Sequence, residues 1–145
     1  MSLAEIQAAI PHRPPFLLID RIVSRTEDTI VCEKDLSGDE FWFQGHYPDY
    51  PLMPGVLLCE ACLQAGAVLL AGHVQGDARI PVATRLNDVK FKRTVRPGDT
   101  ISISAKIDDR LADAFYLTGK VTCNGKLAAR MNFACAMTSP EGEAS

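Results

Sequence analysis

The sequence has no strong excess of charge of either sign. Its 15 basic and 18 acidic residues leave a net charge of −3 over 145 residues. Proteins whose main partner is nucleic acid or an anionic membrane usually carry a marked basic excess. The composition therefore predicts that neither nucleic acid nor a membrane is the main partner of this protein.

The chain also lacks an apolar run long enough to cross a bilayer. Its longest, Val56 to Ala71, is shorter than the roughly 20 residues that a membrane-spanning helix needs. No basic segment precedes an apolar stretch at the N-terminus, so no signal peptide is predicted. The five cysteines, an odd number, lie in apolar stretches and favour buried free thiols over disulfides. These features predict a cytoplasmic protein.

Neither an internal repeat nor a second domain is evident. The length suits one domain, and 47% hydrophobic residues are enough for one core without metal or disulfide staples. We therefore predict a single domain over residues 1–139. A disordered polar tail over residues 140–145 should follow it.

The most informative segment is the apolar run Val56 to Ala71. It contains two polar side chains, Glu60 and Gln64, which are four residues apart and share one helical face. A helix that is apolar on all its other faces belongs in a protein core. Pro54 and Gly55 favour a helix start just before this run, and Gly72 favours an end just after it.

The remaining elements are predicted to be mostly strands. A short helix is expected over Ser2 to Ile10, and an irregular loop rich in proline and aromatic residues over Phe41 to Pro54. Strand character is found in Phe16–Val23, Thr29–Lys34, Pro81–Val89, Phe91–Val95, Thr100–Asp108, Ala114–Cys123 and Lys126–Met137. Asn124-Gly125 is typical of a tight hairpin turn.

These elements predict an α+β fold, in which five or six antiparallel strands form a sheet that wraps around the buried helix. One sheet covers only one side of such a helix. The other side needs a partner, so we expect a homodimer with pairing sheets.

Glu60 is the first candidate for chemistry. A carboxyl group in an apolar helix is costly unless it is paired or used, and apolar surroundings favour its neutral, proton-donating form. A purely structural role, with Glu60 bonded to Gln64 or to an arginine, is about equally well supported by the helix alone.

His46 is the second candidate. A loop histidine is usually an ordinary polar residue, but Pro48 and Pro51 stiffen this loop and suit it to positioning a base. Gly55 and Val56 then open the apolar helix. Free N–H groups in the first turn could hold a developing oxyanion there, although a Pro-Gly helix start is common without any function.

Several motifs, in order, closely resemble those of the (3R)-hydroxyacyl-[acyl carrier protein] dehydratases of the FabZ type. They are His12–Arg21, Gly45–Pro48, Pro51–Leu57, Glu60-Ala61 with Gln64, Val89–Lys92 and Arg96–Asp99. The resemblance covers roughly Ala4 to Met137. It implies a hotdog fold, with an antiparallel sheet around a long central helix, and no metal or organic cofactor. It also implies active sites at a dimer interface and, in many members, a trimer of dimers.

The resemblance implies a role for each candidate in removing water from an acyl carrier protein thioester. His46 of one subunit would take the C2 proton, and Glu60 of the other would protonate the departing C3 hydroxyl. The Gly55 N–H, helped by Val56, would hold the thioester oxygen, and Gln64 would orient Glu60. Related dehydratase/isomerases carry aspartate in place of Glu60, so isomerase activity is less expected.

Two other functions stay open. A hotdog acyl thioesterase would use the helix carboxylate to hydrolyse the thioester, without a base such as His46. A non-catalytic acyl-binding protein would need neither side chain for chemistry.

Some weaker patterns have plain interpretations. The basic cluster Lys90, Lys92, Arg93 and Arg96 is either a solvated strand edge or a docking patch for an acidic carrier protein. Cys59 and Cys62 have metal or redox spacing but lie in the apolar helix. His12 and His73 are expected to be structural or surface residues.

Overall fold

A computed structural model describes residues 3–73 and 79–138 of the chain. The elements are α1 (Leu3–Ala9), β1 (Arg21–Arg25), β2 (Thr29–Asp35), α2 (Phe41–Gly45), α3 (Gly55–Ala71), β3 (Ile80–Phe91), β4 (Thr100–Leu111), β5 (Ala114–Cys123) and β6 (Lys126–Thr138). The predicted tail at 140–145 lies outside the described residues. None of the helices in the described ranges is both long and apolar enough to cross a membrane.

The six strands form one antiparallel sheet in the order β1-β2-β4-β5-β6-β3. The β5–β6 hairpin closes through the pair Cys123 and Lys126, with a two-residue turn between them. Asn124 and Gly125 in that turn have φ of 55° and 75°. Positive φ at both positions is typical of the type I′ turn, so the hairpin prediction is confirmed.

Helix α3 is the centre of the fold. It starts at Gly55 and ends before Gly72, as predicted, and it packs against β2, β3, β4, β5 and β6. The approach is close enough to require small residues. A Cβ on Gly66 would lie 2.9 Å from Cζ of Phe133, and a Cβ on Gly119 would lie 2.8 Å from Cβ of Cys62. The predicted sheet around a buried helix is confirmed.

The prediction of a strand over Phe16–Val23 was wrong in its first half, because β1 begins at Arg21. The main-chain groups of Phe16 and Leu18 are hydrogen-bonded to the side chain of Gln64 rather than to a neighbouring strand. The loop Phe41–Pro54 was also not irregular throughout. Its first residues form the short helix α2, since the prolines that prevent a helix occur only later in the loop.

The separate strand predicted over Phe91–Val95 was wrong as well. A single strand, β3, continues to Phe91, with a register shift between Asn87 and Lys90. Asp88 in this bulge has a φ of 52°. The bulge interrupts the alternation of side chains, and in the sequence this interruption looks like the gap between two separate strands.

Strand β3 lies at the edge of the sheet and, among the described strands, pairs with β6 alone. It is 12 residues long and exposed over most of its length. Leu86 and Phe91 are large apolar side chains on this strand and are 47% and 52% exposed. A long exposed edge strand that carries large apolar side chains is a ready site of association with another chain.

Candidate active site

His46 directly follows α2 and is held at three points. Its N–H donates to the Trp42 carbonyl at 3.1 Å, and its carbonyl accepts from the Leu52 N–H at 2.9 Å. The ring Nδ1 lies 3.0 Å from the Leu52 carbonyl oxygen. A carbonyl oxygen only accepts, so Nδ1 carries the hydrogen and Nε2 of the neutral ring is left with a lone pair. The Nε2 atom is therefore suited to accept a proton.

His46 shares one cleft with the start of α3. The cleft has a volume of about 410 Å³ and includes Gly55 and Val56. Its other walls are Tyr47, Leu52, Met53, Pro54, Leu58, Phe91, Arg93 and Thr94. The structure thus brings together three of the five residues predicted for the site.

The first turn of α3 offers free N–H groups to this cleft. The N–H groups of Leu57 and Leu58 both bond to the Pro54 carbonyl, at 3.0 and 3.3 Å. Those of Gly55 and Val56 precede any helical carbonyl that they could reach. The Phe91 ring covers Gly55, because a Cβ there would lie 2.8 Å from Cε1 of the ring. Only glycine allows backbone and ring to approach this closely.

Glu60 and Gln64 lie further along the helix in a different environment. Gln64 is fully buried, whereas the Glu60 side chain remains 21% exposed. Gln64 Oε1 accepts from the Leu18 N–H at 2.7 Å, and Nε2 donates to the Phe16 carbonyl at 2.8 Å and to Oε2 of Glu60 at 2.9 Å. These bonds use both ends of the amide and so fix its orientation.

Glu60 is not among the residues that line the His46 cleft of the same chain. Glu60 follows Gly55 by five steps of α-helix, which correspond to about 7.5 Å along the axis and a rotation of about 140°. His46 after α2, the implied base, and Glu60 within α3, the implied acid, thus do not line one cleft of a single chain.

His12 was missed as a neighbour of Glu60. Its Nε2 lies 3.7 Å from Oε2 of Glu60, and its ring is stacked with Phe16 at a centroid distance of 6.3 Å. Its Nδ1 is buried and has no partner within the described part of the chain. The available signal was the place of His12 at the start of the first family motif.

The basic cluster is only partly brought together. Arg93 lines the His46 cleft, while the Arg96 guanidinium lies 4.4 Å from the centre of the Tyr50 ring. Lys90 instead belongs to a row of cations across three strands. In this row Lys120 lies opposite Arg130 on the neighbouring strand, and Arg130 lies opposite Lys90. Like charges placed opposite each other on a sheet repel.

The cysteines of α3 lie in an environment that disfavours thiolates. Burial raises the pKa of the Cys59 thiol and that of the Cys62 thiol. Metal binding and redox chemistry both need the thiolate form. The metal or redox interpretation of this pair therefore gains no support from the surroundings of the two thiols.

Known proteins are similar to most of the chain. The family described as the FabA-like domain matches residues 10–132. A protein of Staphylococcus carnosus named 3-hydroxyacyl-[acyl-carrier-protein] dehydratase FabZ is 44% identical over 125 residues, which is 86% of each chain. The protein of that name from Lactococcus lactis subsp. cremoris is 39% identical over 130 residues, or 90% of each chain.

Solved structures agree in fold. The dehydratase heterocomplex ApeI:P from Xenorhabdus doucetiae matches with a TM-score of 0.80 at 16% identity, over 93% of this chain and 91% of that one. The E. coli PaaI protein from the phenylacetic acid degradation operon matches with a TM-score of 0.65 at 19% identity, over 80% and 81%. The predicted hotdog fold is confirmed.

Proposed function

Because this chain belongs to the FabA-like family, we propose that it is a 3-hydroxyacyl-[acyl carrier protein] dehydratase. This hydro-lyase removes water from a (3R)-3-hydroxyacyl thioester and gives the trans-2-enoyl thioester, a step of fatty acid biosynthesis. The observation that carries the proposal is the cleft shared by His46 and the first turn of α3, in a chain whose relatives are named for this reaction.

His46 is the proposed base. Its Nε2 lone pair takes the proton from C2, and the electron pair of that C–H bond moves towards the thioester carbonyl. Charge then develops on the thioester oxygen. The N–H groups of Gly55 and Val56, at the positive end of the α3 dipole, stabilise this charge.

Glu60 is the proposed acid. Gln64 donates to its Oε2, so Oε1 is the oxygen left free to hold and deliver a proton. That proton joins the C3 hydroxyl, which leaves as water while the C2 electron pair forms the double bond to C3. His46 ends with the C2 proton and Glu60 ends ionised, and proton exchange with solvent restores both groups.

A dehydration assay tests this function. The protein is incubated with a 3-hydroxyacyl thioester, and enoyl absorbance and free thiol are followed together. We expect enoyl product without thiol release, and losses of about 10²- to 10⁴-fold in His46→Ala and in Glu60→Gln. Thiol release would instead identify a thioesterase. Unchanged activity in both variants would contradict the assigned roles.

The active unit is proposed to be a homodimer. Pairing of the β3 edges of two copies would continue the sheet and cover Leu86 and Phe91, which are exposed in the single chain. The family resemblance implies that Glu60 of one copy then lies next to the His46 cleft of the other. Assembly into a trimer of dimers is a further expectation that light scattering would test.

A complementation experiment tests whether the site is shared. His46→Ala and Glu60→Gln chains are unfolded, mixed in equal amounts and refolded. If sites form between chains, each mixed dimer has one intact site, and the mixture should recover about a quarter of the wild-type activity. If each site lies within one chain, both variants and their mixture stay equally inactive.

Acyl carrier protein is the proposed substrate partner. The row Lys90, Arg130 and Lys120 has no ion-pair partner within the described ranges, and an acidic carrier surface would neutralise it. Lys120→Glu should raise the KM for a carrier-linked substrate and leave that for a coenzyme A thioester unchanged. Lys126→Glu, at the exposed first position of β6 beside the hairpin turn, is the matched control. An equal change for both substrates would contradict this docking site.

A cytoplasmic location is proposed for the protein. All five cysteines are free and buried, as is usual for proteins that fold in a reducing compartment. Fractionation of cells that express the full chain would test this location. Recovery of the protein in a secreted or membrane fraction would contradict it.

A further inference from the structure

Oε2 of Glu60 faces two nitrogen atoms, whereas its Oε1 has no hydrogen-bond donor among the residues that the structure describes. The Gln64 Nε2 is 2.9 Å from Oε2, and the His12 Nε2 is 3.7 Å from the same atom. Gln64 has its own fixed amide orientation, as described above. The position of the hydrogen on the His12 ring therefore decides whether Oε2 faces a second N–H donor or a lone pair.

The buried Nδ1 of His12 indicates which ring nitrogen carries the hydrogen. With a hydrogen on Nδ1, the ring would bury an N–H group without an acceptor, which is costly. With the hydrogen on Nε2, only a lone pair is left without a partner, and the ring nitrogen that carries the hydrogen lies 3.7 Å from a carboxylate oxygen of Glu60. The second tautomer fits the surroundings better.

The ring is also held in place. It stacks on Phe16 with an angle of 15° between the two ring planes. The Phe16 carbonyl in turn accepts from Gln64, so both side chains that face Oε2 are connected through one loop residue. A separation of 3.7 Å exceeds a hydrogen bond, but catalytic contacts often shorten when substrate binds.

We propose that His12 is a positioning residue for Glu60, and this inference rests on the function proposed above. The His12 Nε2–H and the Gln64 amide together keep Oε2 an acceptor. The proton that Glu60 delivers to the C3 hydroxyl is thereby confined to Oε1. His12 touches neither substrate nor product and acts through Glu60 alone.

Two substitutions separate this role from a structural one. His12→Phe keeps a flat ring that can stack on Phe16, removes the unpartnered Nδ1 and lacks the N–H donor. His12→Gln loses the ring but keeps a donor near the position of Nε2. A structural role predicts that the phenylalanine variant is the milder one, and a positioning role predicts the opposite order.

We expect His12→Phe to lower kcat by about 10- to 100-fold with KM within about twofold, and to unfold at no lower urea concentration than the wild type. His12→Gln should recover kcat to within about threefold of the wild type even if it is less stable. Wild-type kcat in His12→Phe, or a kcat lower in His12→Gln than in His12→Phe, would overturn the inference.

A double variant tests the dependence on Glu60. Adding His12→Phe to Glu60→Gln should cause no further loss, because the residue through which His12 acts is already gone. Independent, additive losses would overturn the inference. The proposed function is judged separately, since it fails only if the wild-type chain does not dehydrate the thioester.

Discussion

Replacing Gln64 by methionine should weaken the fold as well as the site. Gln64 is fully buried, and its amide bonds to the Leu18 N–H, the Phe16 carbonyl and Glu60. Methionine has a similar length but can make none of these bonds. The Leu18 N–H and the Phe16 carbonyl would then lack partners, at a cost of about 1–3 kcal/mol each. Burial of the apolar methionine side chain offsets part of this cost, so we expect the free energy of unfolding to fall by about 2–4 kcal/mol.

Urea unfolding, followed by circular dichroism, measures this loss. Wild type and variant are compared at equal protein concentration, because association also contributes to stability. In a domain of this size, 1 kcal/mol corresponds to about 2–4 °C in Tm, so Tm should fall by about 4–16 °C. Gln44→Met is the matched control, since Gln44 is exposed in α2, and it should change stability by less than about 0.5 kcal/mol.

The outcome that refutes this reasoning is a loss below about 0.5 kcal/mol in Gln64→Met with an unchanged m-value. It would mean that the loop from Phe16 to Leu18 is held by its apolar contacts and not by the amide. Equal destabilisation of the Gln44 and Gln64 variants would refute it too, because the loss would then reflect methionine itself rather than the buried bonds.

Three further predictions concern stability and reactivity. Gly66→Ala should cost about 1–3 kcal/mol in urea unfolding, because its Cβ would lie 2.9 Å from the buried Phe133 ring, and equal stability would contradict this packing. Hydrogen bonds from Arg21 hold the pKa of Asp35 at about 2, so the pair stabilises the fold above pH 4 and is lost as pH falls towards 2. Asp35→Asn should therefore flatten the decline of stability between pH 4 and 2 in an acid titration. Burial raises the pKa of Cys32 to about 12, so a thiol reagent at pH 8 should label it only after unfolding, as mass spectrometry would show.

Local patterns were enough to predict the centre of the fold. An apolar run interrupted only by Glu60 and Gln64 predicts a buried helix, and Asn124-Gly125 predicts a tight hairpin, because both signals depend on neighbouring residues. The end of β3 was not predictable in this way. Asp88 has a positive φ in the bulge, but aspartate does not require one, so the residue type does not predict a bulge. The bulge therefore hides the continuity of the strand.

In the site, too, residues close in sequence were predictable together, whereas contacts between distant residues were not. His46, Gly55 and Val56 are close in sequence, and they share a cleft in the structure. The bond between Gln64 and Leu18 spans 46 residues, and the approach of His12 to Glu60 spans slightly more. Contacts of this kind arise from packing of the whole chain, so no local sequence pattern predicts them.

The position of α3 along the chain leaves this helix uncovered during part of synthesis on the ribosome. This helix is completed at Ala71, whereas β4, β5 and β6, which cover it, are finished only at Thr138. At synthesis rates of about 5–20 residues per second, several seconds pass between completion of the apolar helix and completion of the strands that cover it. During that interval the nascent chain exposes its future core and is a natural client for chaperones that bind apolar segments. The buried helix that stabilises the finished protein is thus an exposed apolar segment during part of synthesis.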